Sequence, residues 1–298
     1  MNVLITGSSG LIGSHLSAHL SALGHPVTGL PRTSDASVIP RWQSEPHKVV
    51  LTNPNLFDAV VHLAGHPIVC RWTKANKRKI RESRVQGTER LVAALVKAQP
   101  KPRTLISASA SGYYGDRGCE WLDEDSSPGQ SFLADVAQNW ERAAHAADTA
   151  DIRVVNLRFG IVLSRNGGAL ASMLPVFRLG FGGRVGDGNQ YWSWITLPDL
   201  LRVITHCLNS SQMSGPVNAV SPNPVTNSEF TERLGKVLHR PTLIPLPRLA
   251  AKLAFGEMAE EALLASARVR PRRLQEMGFT FEHPDLEAAL NSLLSSNP

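Results

Sequence analysis

The chain is short of cysteine, of tyrosine and of long apolar runs, and each shortage closes off a class of protein. Its three cysteines, Cys70, Cys119 and Cys207, stand far apart with no CxxC pair. That excludes a zinc knuckle and a disulfide framework, so no metal is expected, and the setting expected is reducing and cytoplasmic. The opening residues MNVLITG carry neither a basic stretch nor a long apolar one, so no signal peptide and no transmembrane helix are expected. With only Tyr113, Tyr114 and Tyr191 available, a phenolic acid has few candidates. The formal charge of +6 favours anionic ligands such as phosphates. No zinc finger, RNP motif or basic heptad helix supports nucleic acid as a partner.

What is present is an ordinary globular balance, with 42% hydrophobic and 19% charged residues over 298 positions. This suits one large domain or two smaller ones, with enough chain to bury a sizeable core. The first half alternates short apolar runs with helical patterns. Asn2–Thr6, Val27–Leu30, Lys48–Leu51, Asp58–Leu63, Arg103–Ser107 and Arg153–Phe159 read as strands, and the stretch between Leu11 and Leu23, Lys74–Gln99 and Phe132–Ala147 as helices. Thr33–His47 is polar and broken by prolines, so it reads as a loop or weak helix. The fold class expected is α/β: a doubly wound parallel sheet whose ligands gather at the carboxyl ends of the strands.

After about residue 160 glycines and prolines cluster, and helical patterns at Asn227–Leu238 and Asp285–Leu294 follow. The expected division is a Rossmann domain over 1–160, with 190–220 returning to it, and a smaller, mostly helical C-terminal lobe from 161–189 and 221–298. The basic run Arg268, Arg270, Arg272, Arg273 reads most simply as a solvated face.

The strongest motif is TGSSGLIG at 6–13. Gly7 can turn the chain, Gly10 lets backbone approach a pyrophosphate, and Gly13 lets the helix pack on the strand. Ser9, Leu11 and Ile12 complete a turn whose helix start points N–H groups at an anion. The spacing differs from GxGxxG by one residue, but the strand before and the amphipathic helix after supply the confirming context. At the end of the second strand stands GLPRT, with no carboxylate for a ribose. Arg32 there can meet a 2′-phosphate, so the cofactor expected is NADP(H).

TGSSGLIG followed by DAVVHLAG resembles the extended short-chain dehydrogenase/reductase superfamily. GHPIVCRWT, RESRVQGTERLV, SASASGYYG, LRFGIVL, GGALASMLPVFRLGFGGRVGDG, WSWITLPDL and the long tail from GEMAEEALL narrow the resemblance to its epimerase-like family, over nearly the whole chain. The resemblance implies a Rossmann fold binding NADP(H), with Leu63, Ala64 and Gly65 beside the adenosine half and Ser107 and Ala108 near the nicotinamide ribose. Arg84 stands where many relatives carry Asn and is counted with these among the expected cofactor-binding residues.

Active members of that superfamily use a Tyr as acid or base, with a Lys four residues later. An unperturbed phenol titrates near 10, so it needs such a cation. Here the residues four beyond the tyrosines are Arg117, Gly118 and Ile195. Aligning Glu141 with the usual acidic residue of the helix puts Leu133 at the tyrosine position and Ala137 at the lysine position. Ser109 matches the hydroxyl that holds the substrate oxygen, and Tyr113 a tyrosine that packs beside substrate. Ser109 and Tyr113 are therefore the catalytic candidates, with Asp116, Asp123, Glu124 and Asp125 as alternative acids and EDSSPG reading more simply as a polar loop. His66, just past the fourth strand, is a further candidate for substrate contact and proton transfer, since histidine as a residue type suits both. Arg158 and Arg184 could pair with an anionic substrate, while Trp192 and Trp194 offer either stacking surface or lobe packing; Arg71-Trp72 is a further rim candidate.

Two functions stay open: an NADP(H)-dependent oxidoreductase or epimerase acting on a small polar, nucleotide-linked substrate, or a non-catalytic NADP(H)-binding sensor that engages a protein partner. The small molecule is the expected partner, nucleic acid and membrane are not, and the expected assembly is a homodimer.

Overall fold

Six parallel strands form the centre of the computed structural model, which describes residues 1–33, 35, 40–43, 48–51 and 57–295. They are β1 (Val3–Thr6), β2 (Val27–Leu30), β5 (Ala59–His62), β6 (Thr104–Ala110), β8 (Arg153–Phe159) and β12 (Gly215–Ala219), in the order β12-β8-β6-β5-β1-β2. All four residues of β1 and of β5 are buried, as expected of strands covered on both faces. On one face α1 (Leu11–Ala22) and α5 (Leu197–Asn209) pack through Leu16, Leu20, Leu200 and Ile204. On the other lie α2 (Lys74–Val96) and α3 (Phe132–His145), with Leu91, Leu95 and Ala144 in a second core. The register aligns Thr6 with Leu30 and His62, His62 with Ser107, Ser109 with Arg158 and Phe159 with Ala219, so the strands end along one edge. That edge is where a doubly wound sheet binds ligands.

The polar stretch Thr33–His47 departs from the sequence reading. It contains a strand, β3 (Arg41–Gln43), which pairs antiparallel with β4 (Lys48–Val50) outside the six-stranded sheet. Trp42 is the reason: its ring stacks on His62 at 6.4 Å and lies 3.5 Å from where a Cβ would stand on Gly87 of α2. The remainder of that stretch (34, 36–39, 44–47) lies outside the described residues.

The C-terminal lobe is built from α4 (Gly168–Arg178), α6 (Asn227–Leu238), α7 (Arg248–Phe255), α8 (Arg272–Glu276) and α9 (Leu286–Ser295). Short two-stranded pieces adjoin these helices: β9 (Ile161–Ser164) with β11 (Trp194–Thr196), and β10 (Tyr191–Trp192) with β13 (Val225–Thr226). A further pair, β7 (Trp121–Leu122) with β14 (Arg268–Val269), ties the lobe back to the loop after β6. Among the described residues no helix is long and apolar enough to cross a membrane.

Candidate cofactor and reaction site

The glycine loop has the geometry of an anion cradle. Gly7 sits at φ +71°, in the left-handed region that favours glycine, and Gly10 N donates to Gly7 O at 3.0 Å. A Cβ on Gly13 would stand 2.2 Å from Gly7 O, so only glycine lets α1 approach the loop this closely. The N-cap of α1 is Gly10, which offers no side-chain oxygen. The first-turn N–H groups therefore suit an external anion. Gly167 of the lobe rests on this loop, with its Cβ position 3.1 Å from Leu11. Arg32 is exposed just past β2, and Ser8 of the loop packs over Gly29 at the same strand end. These residues fit a dinucleotide with an added phosphate on its ribose.

Beneath the loop runs a buried polar chain that sequence reasoning missed. Thr6 Oγ1 accepts from Leu63 N (3.2 Å) and Ala64 N (3.3 Å) and lies 2.6 Å from His62 Nδ1. Its hydroxyl proton must then go to Nδ1, which leaves the His62 proton on Nε2. Nε2 donates to Thr88 Oγ1 at 2.9 Å, and Thr88 donates to the carbonyl of Arg84 at 2.5 Å. Every donor has one direction only if His62 is neutral. Burial, assisted by the charge of Arg84, lowers the His62 pKa from 6.5 to about 4, in agreement. The chain fixes the backbone at Leu63 and Ala64 and links β1 and β5 to α2.

At the end of β6 the structure places the reaction candidates differently from the sequence reading. Ser107 and Ser109 share one face of the strand, as their spacing requires. Ser109 is buried, and its hydroxyl donates to Glu141 Oε1 on α3 at 2.7 Å. Arg158, its register partner on β8, clasps the same carboxylate through Nε and Nη2, each at 2.8 Å. Nη1 donates to Tyr114 Oη at 3.0 Å, and Tyr114 donates to Asn218 Oδ1 at 2.7 Å. Two expectations are corrected here. Ser109 presents no hydroxyl to a substrate because Glu141 holds it. Arg158 is 2% exposed and neutralised by Glu141, so it is no substrate ligand.

The tyrosines divide. Tyr114 is fully buried, and burial pushes its phenol up to about 12, which removes it as an acid at neutral pH. Tyr113 is half-buried, with the Arg158 guanidinium 3.4 Å from its ring centroid. Arg117 is not its partner: that side chain binds Glu120 and Ser127.

The alternative acids are structural. Asp116 accepts from Gly118 N and Ser266 N. Glu124 is buried, which raises its pKa, and its Oε1 accepts from Asn218 N at 3.0 Å. Asp123 is held low in pKa, first by its hydrogen bond from Arg270. Asp123 pairs with Arg270 and Arg272, and Asp125 with Arg272 and Arg273. Arg270, Arg272 and Arg273 of the basic run are thus the counter-charge of the acidic loop, while Arg268 lies over the rings of Trp121 and Tyr191.

Helix α3 carries Leu133 and Ala137 where a proton-transferring Tyr and Lys would stand. Leu133 lies in an apolar cluster with Trp72, Ile80, Phe132 and Met258, and Ala137 is buried. The start of α3 is held from the lobe: Glu261 accepts from Phe132 N (3.1 Å) and Leu133 N (2.8 Å). Trp72 is 8% exposed and edge-on to Phe132, so it belongs to this cluster rather than to a rim. Trp192 and Trp194 are 5% and 0% exposed, with indole N–H groups bound to Leu263 O and Asn223 O. Both are lobe core, and neither offers a stacking surface. Arg184 remains exposed on the glycine-rich loop. His66 is half-buried past β5, its backbone N–H held by Ser83 Oγ and its carbonyl by Arg84.

Fold and cradle together define a dinucleotide-binding Rossmann protein with an appended lobe at the ligand edge. The chain belongs to the NAD dependent epimerase/dehydratase family, whose model matches residues 3–219, and residues 246–293 match a domain of unknown function, DUF1731. It is 44% identical over 295 residues to the epimerase family protein Mb2239 of Mycobacterium bovis, covering 97% of this chain and 96% of that one. The crystal structure of human epimerase family protein SDR39U1 (isoform 2) with NADPH superposes with a TM-score of 0.92 at 34% identity, covering 100% of both chains. A UDP-glucose 4-epimerase from Thermus thermophilus, solved with NAD, shares the fold at 20% identity and a TM-score of 0.74, covering 98% of each chain.

Proposed function

We propose that this chain binds NADP(H) across the Gly7–Gly13 cradle and serves as a cofactor-responsive binding protein, without the Tyr–Lys chemistry of active short-chain dehydrogenases. The observation that carries the reading is the pair Leu133 and Ala137, two hydrocarbon side chains where an acid and its activating cation would stand. The commitment of Ser109 to Glu141 supports it, because the hydroxyl that would hold a reacting oxygen is also withdrawn. Arg32 at the end of β2, with no acid beside it in the strand end Gly29-Leu30-Pro31-Arg32, favours a 2′-phosphate. The free thiols Cys70, Cys119 and Cys207 fit a reducing, cytoplasmic setting.

The test is titration of the pure protein with NADPH and with NADH, followed by tryptophan fluorescence. Clearly tighter NADPH binding supports the reading; equal affinity for the two, or none, sinks it.

One observation favours a second reading, an epimerase or oxidoreductase acting on a small polar, nucleotide-linked substrate. His66 sits at the ligand edge with its backbone fixed from both sides by Ser83 and Arg84, the placement a proton donor needs. NADPH, when bound, supplies a hydride. Substrate-dependent NADPH oxidation that disappears in His66→Ala, with NADPH affinity kept, would favour this reading over the first.

A further inference from the structure

Eleven large apolar side chains stand exposed among the described residues, and eight of them fall in two short stretches of the lobe, 176–181 and 243–255. The two stretches adjoin each other. Arg240 Nε donates to Arg178 O and Leu246 N to Arg184 O, each at 2.8 Å, and Gly186 N donates to Leu246 O at 2.9 Å. Gly183 lies so close that a Cβ there would stand 1.8 Å from Ile244 O. The end of α4, the loop after it and α7 thus form one surface. On it Leu179, Phe181, Leu243, Leu249 and Leu253 are between 61% and 84% exposed. Leu249 and Leu253 share one side of α7 at i and i+4, while Ala251 is buried. So concentrated a patch marks a contact site, unlike the single apolar side chains scattered over ordinary surfaces.

The charge around the patch is of one sign. Residues 176–186 and 239–256 carry five arginines and lysines and no aspartate or glutamate. Arg178, Arg240 and Arg248 are exposed, and among the described residues none of the three forms an ion pair. Glu260, which feels the charge of Arg248, is bound by Lys252. Arginines elsewhere in the lobe are paired: Arg233 with Asp285, Arg270 with Asp123 and Arg272 with Asp125.

Three kinds of occupant cover faces of this sort. A second copy in a two-fold contact would set the same basic border against itself, with no acid in these stretches to offset it. A bound peptide helix lies in a groove, whose walls shield the apolar floor, whereas these leucines stand largely clear of their neighbours. Projecting leucines with arginines beside them suit the boundary between acyl chains and negatively charged headgroups. We propose that this face of the lobe rests on an anionic lipid surface. Leu179, Leu243, Leu249 and Leu253 enter the acyl boundary, and Arg178, Arg240 and Arg248 meet headgroup phosphates. Such a contact needs neither a signal peptide nor a membrane-spanning helix, so the features that set a membrane partner aside in the sequence do not bear on it. It stands independently of the cofactor reading.

The experiment is sedimentation of the full chain with vesicles of phosphatidylcholine alone and of equal parts phosphatidylcholine and phosphatidylglycerol. It compares the wild type with two double variants, Leu249→Gln with Leu253→Gln, and Arg178→Gln with Arg248→Gln. The expected result is binding to the anionic vesicles, weakened about tenfold or more by either double substitution, since two inserted leucines or two surface charges each contribute that much. All four side chains are exposed, so thermal unfolding should match the wild type. A wild type that ignores anionic vesicles overturns the proposal. So does binding that the leucine variant keeps in full, which would reduce the contact to the net charge of the chain. A dimer seen by light scattering and abolished by the leucine substitutions, in a chain that ignores vesicles, would give the face to a second copy. Binding of an acidic helical peptide on the same terms would give it to a protein, and either result sinks the lipid reading.

Discussion

Ser109 and Arg158 are register partners across β6 and β8, and both bind one carboxylate, that of Glu141. This pairing turns a motif that resembles a substrate-holding hydroxyl into a structural brace. Removing the carboxylate leaves a buried guanidinium uncompensated, which costs about 3–5 kcal/mol. Glu141→Gln should therefore lose about that much in urea unfolding, while Ser109→Ala, which deletes one bond to a charged group, should lose about 1–3 kcal/mol. If Ser109→Ala is neutral to stability but abolishes a substrate-dependent activity, the brace interpretation is wrong and the hydroxyl is free in solution.

The His62 chain makes stability depend on pH in a defined direction. The folded-state pKa is about 4 against 6.5 for the free side chain, so the unfolded chain takes up the proton first. The contribution is full above about pH 6.5, falls as the pH drops towards 4 and levels off below that; its size is on the order of 3 kcal/mol. A ring NMR titration should show His62 neutral, protonated on Nε2, at pH 5. Unfolding free energies between pH 7 and pH 4.5 should fall more steeply for the wild type than for His62→Gln. Protonation of His62 near 6.5 in the native protein would contradict the chain as drawn.

Arg32 stands exposed beside the cradle, so its removal should leave stability untouched and change selectivity. Arg32→Ala is expected to weaken NADPH about tenfold or more and NADH by less than about threefold, since only NADPH brings the 2′-phosphate that a guanidinium grips in charge-assisted bonds. Equal weakening of both would move the 2′-phosphate away from β2.

Gly13→Ala tests the cradle itself. Its methyl would fall 2.2 Å from Gly7 O, a contact relieved only by moving α1 off the loop. A cost of about 1–3 kcal/mol is expected, as for other overpacked sites, with loss of NADPH binding. A variant that binds NADPH normally would mean that the cofactor does not use this loop.

The sheet and the cradle were legible in the sequence because both are local: apolar runs of strand length, and three glycines between a strand and an amphipathic helix. The missing Tyr–Lys pair was legible for the same reason, as a count of residues four apart. What could not be read were contacts between segments far apart in the chain. Glu124, Asp123 and Asp125 meet the arginines of residues 270–273 across roughly half the chain, so each partner read alone as a solvated charge. Trp192 and Trp194 carried no periodicity to separate a stacking platform from core. Trp42 anchors a strand inside a polar, proline-broken stretch, where a single aromatic gives no pattern.

Glu261 is the sharpest case of such distance, and it carries the last prediction. It reaches from the C-terminal lobe to accept the backbone N–H groups of Phe132 and Leu133, 128 or more residues away, at the start of α3. Ser131 caps the same turn through the N–H of Ala134, so the helix start has two side chains accepting its N–H groups and a negative charge in the favourable place. Met258 packs beside Leu133 in the adjoining cluster, and Lys77 pairs with Glu257. The lobe is thereby fastened to the helix that in active relatives carries the acid. Glu261→Ala should cost about 1–3 kcal/mol, the worth of bonds to a charged acceptor, and should raise amide exchange at Phe132 and Leu133 more than at the far end of α3. Glu261→Gln should recover part of the stability, since its side-chain carbonyl can still accept one N–H but brings no charge. Unchanged exchange at Phe132 and Leu133 in Glu261→Ala would mean that the lobe is held by apolar packing and that the carboxylate is incidental.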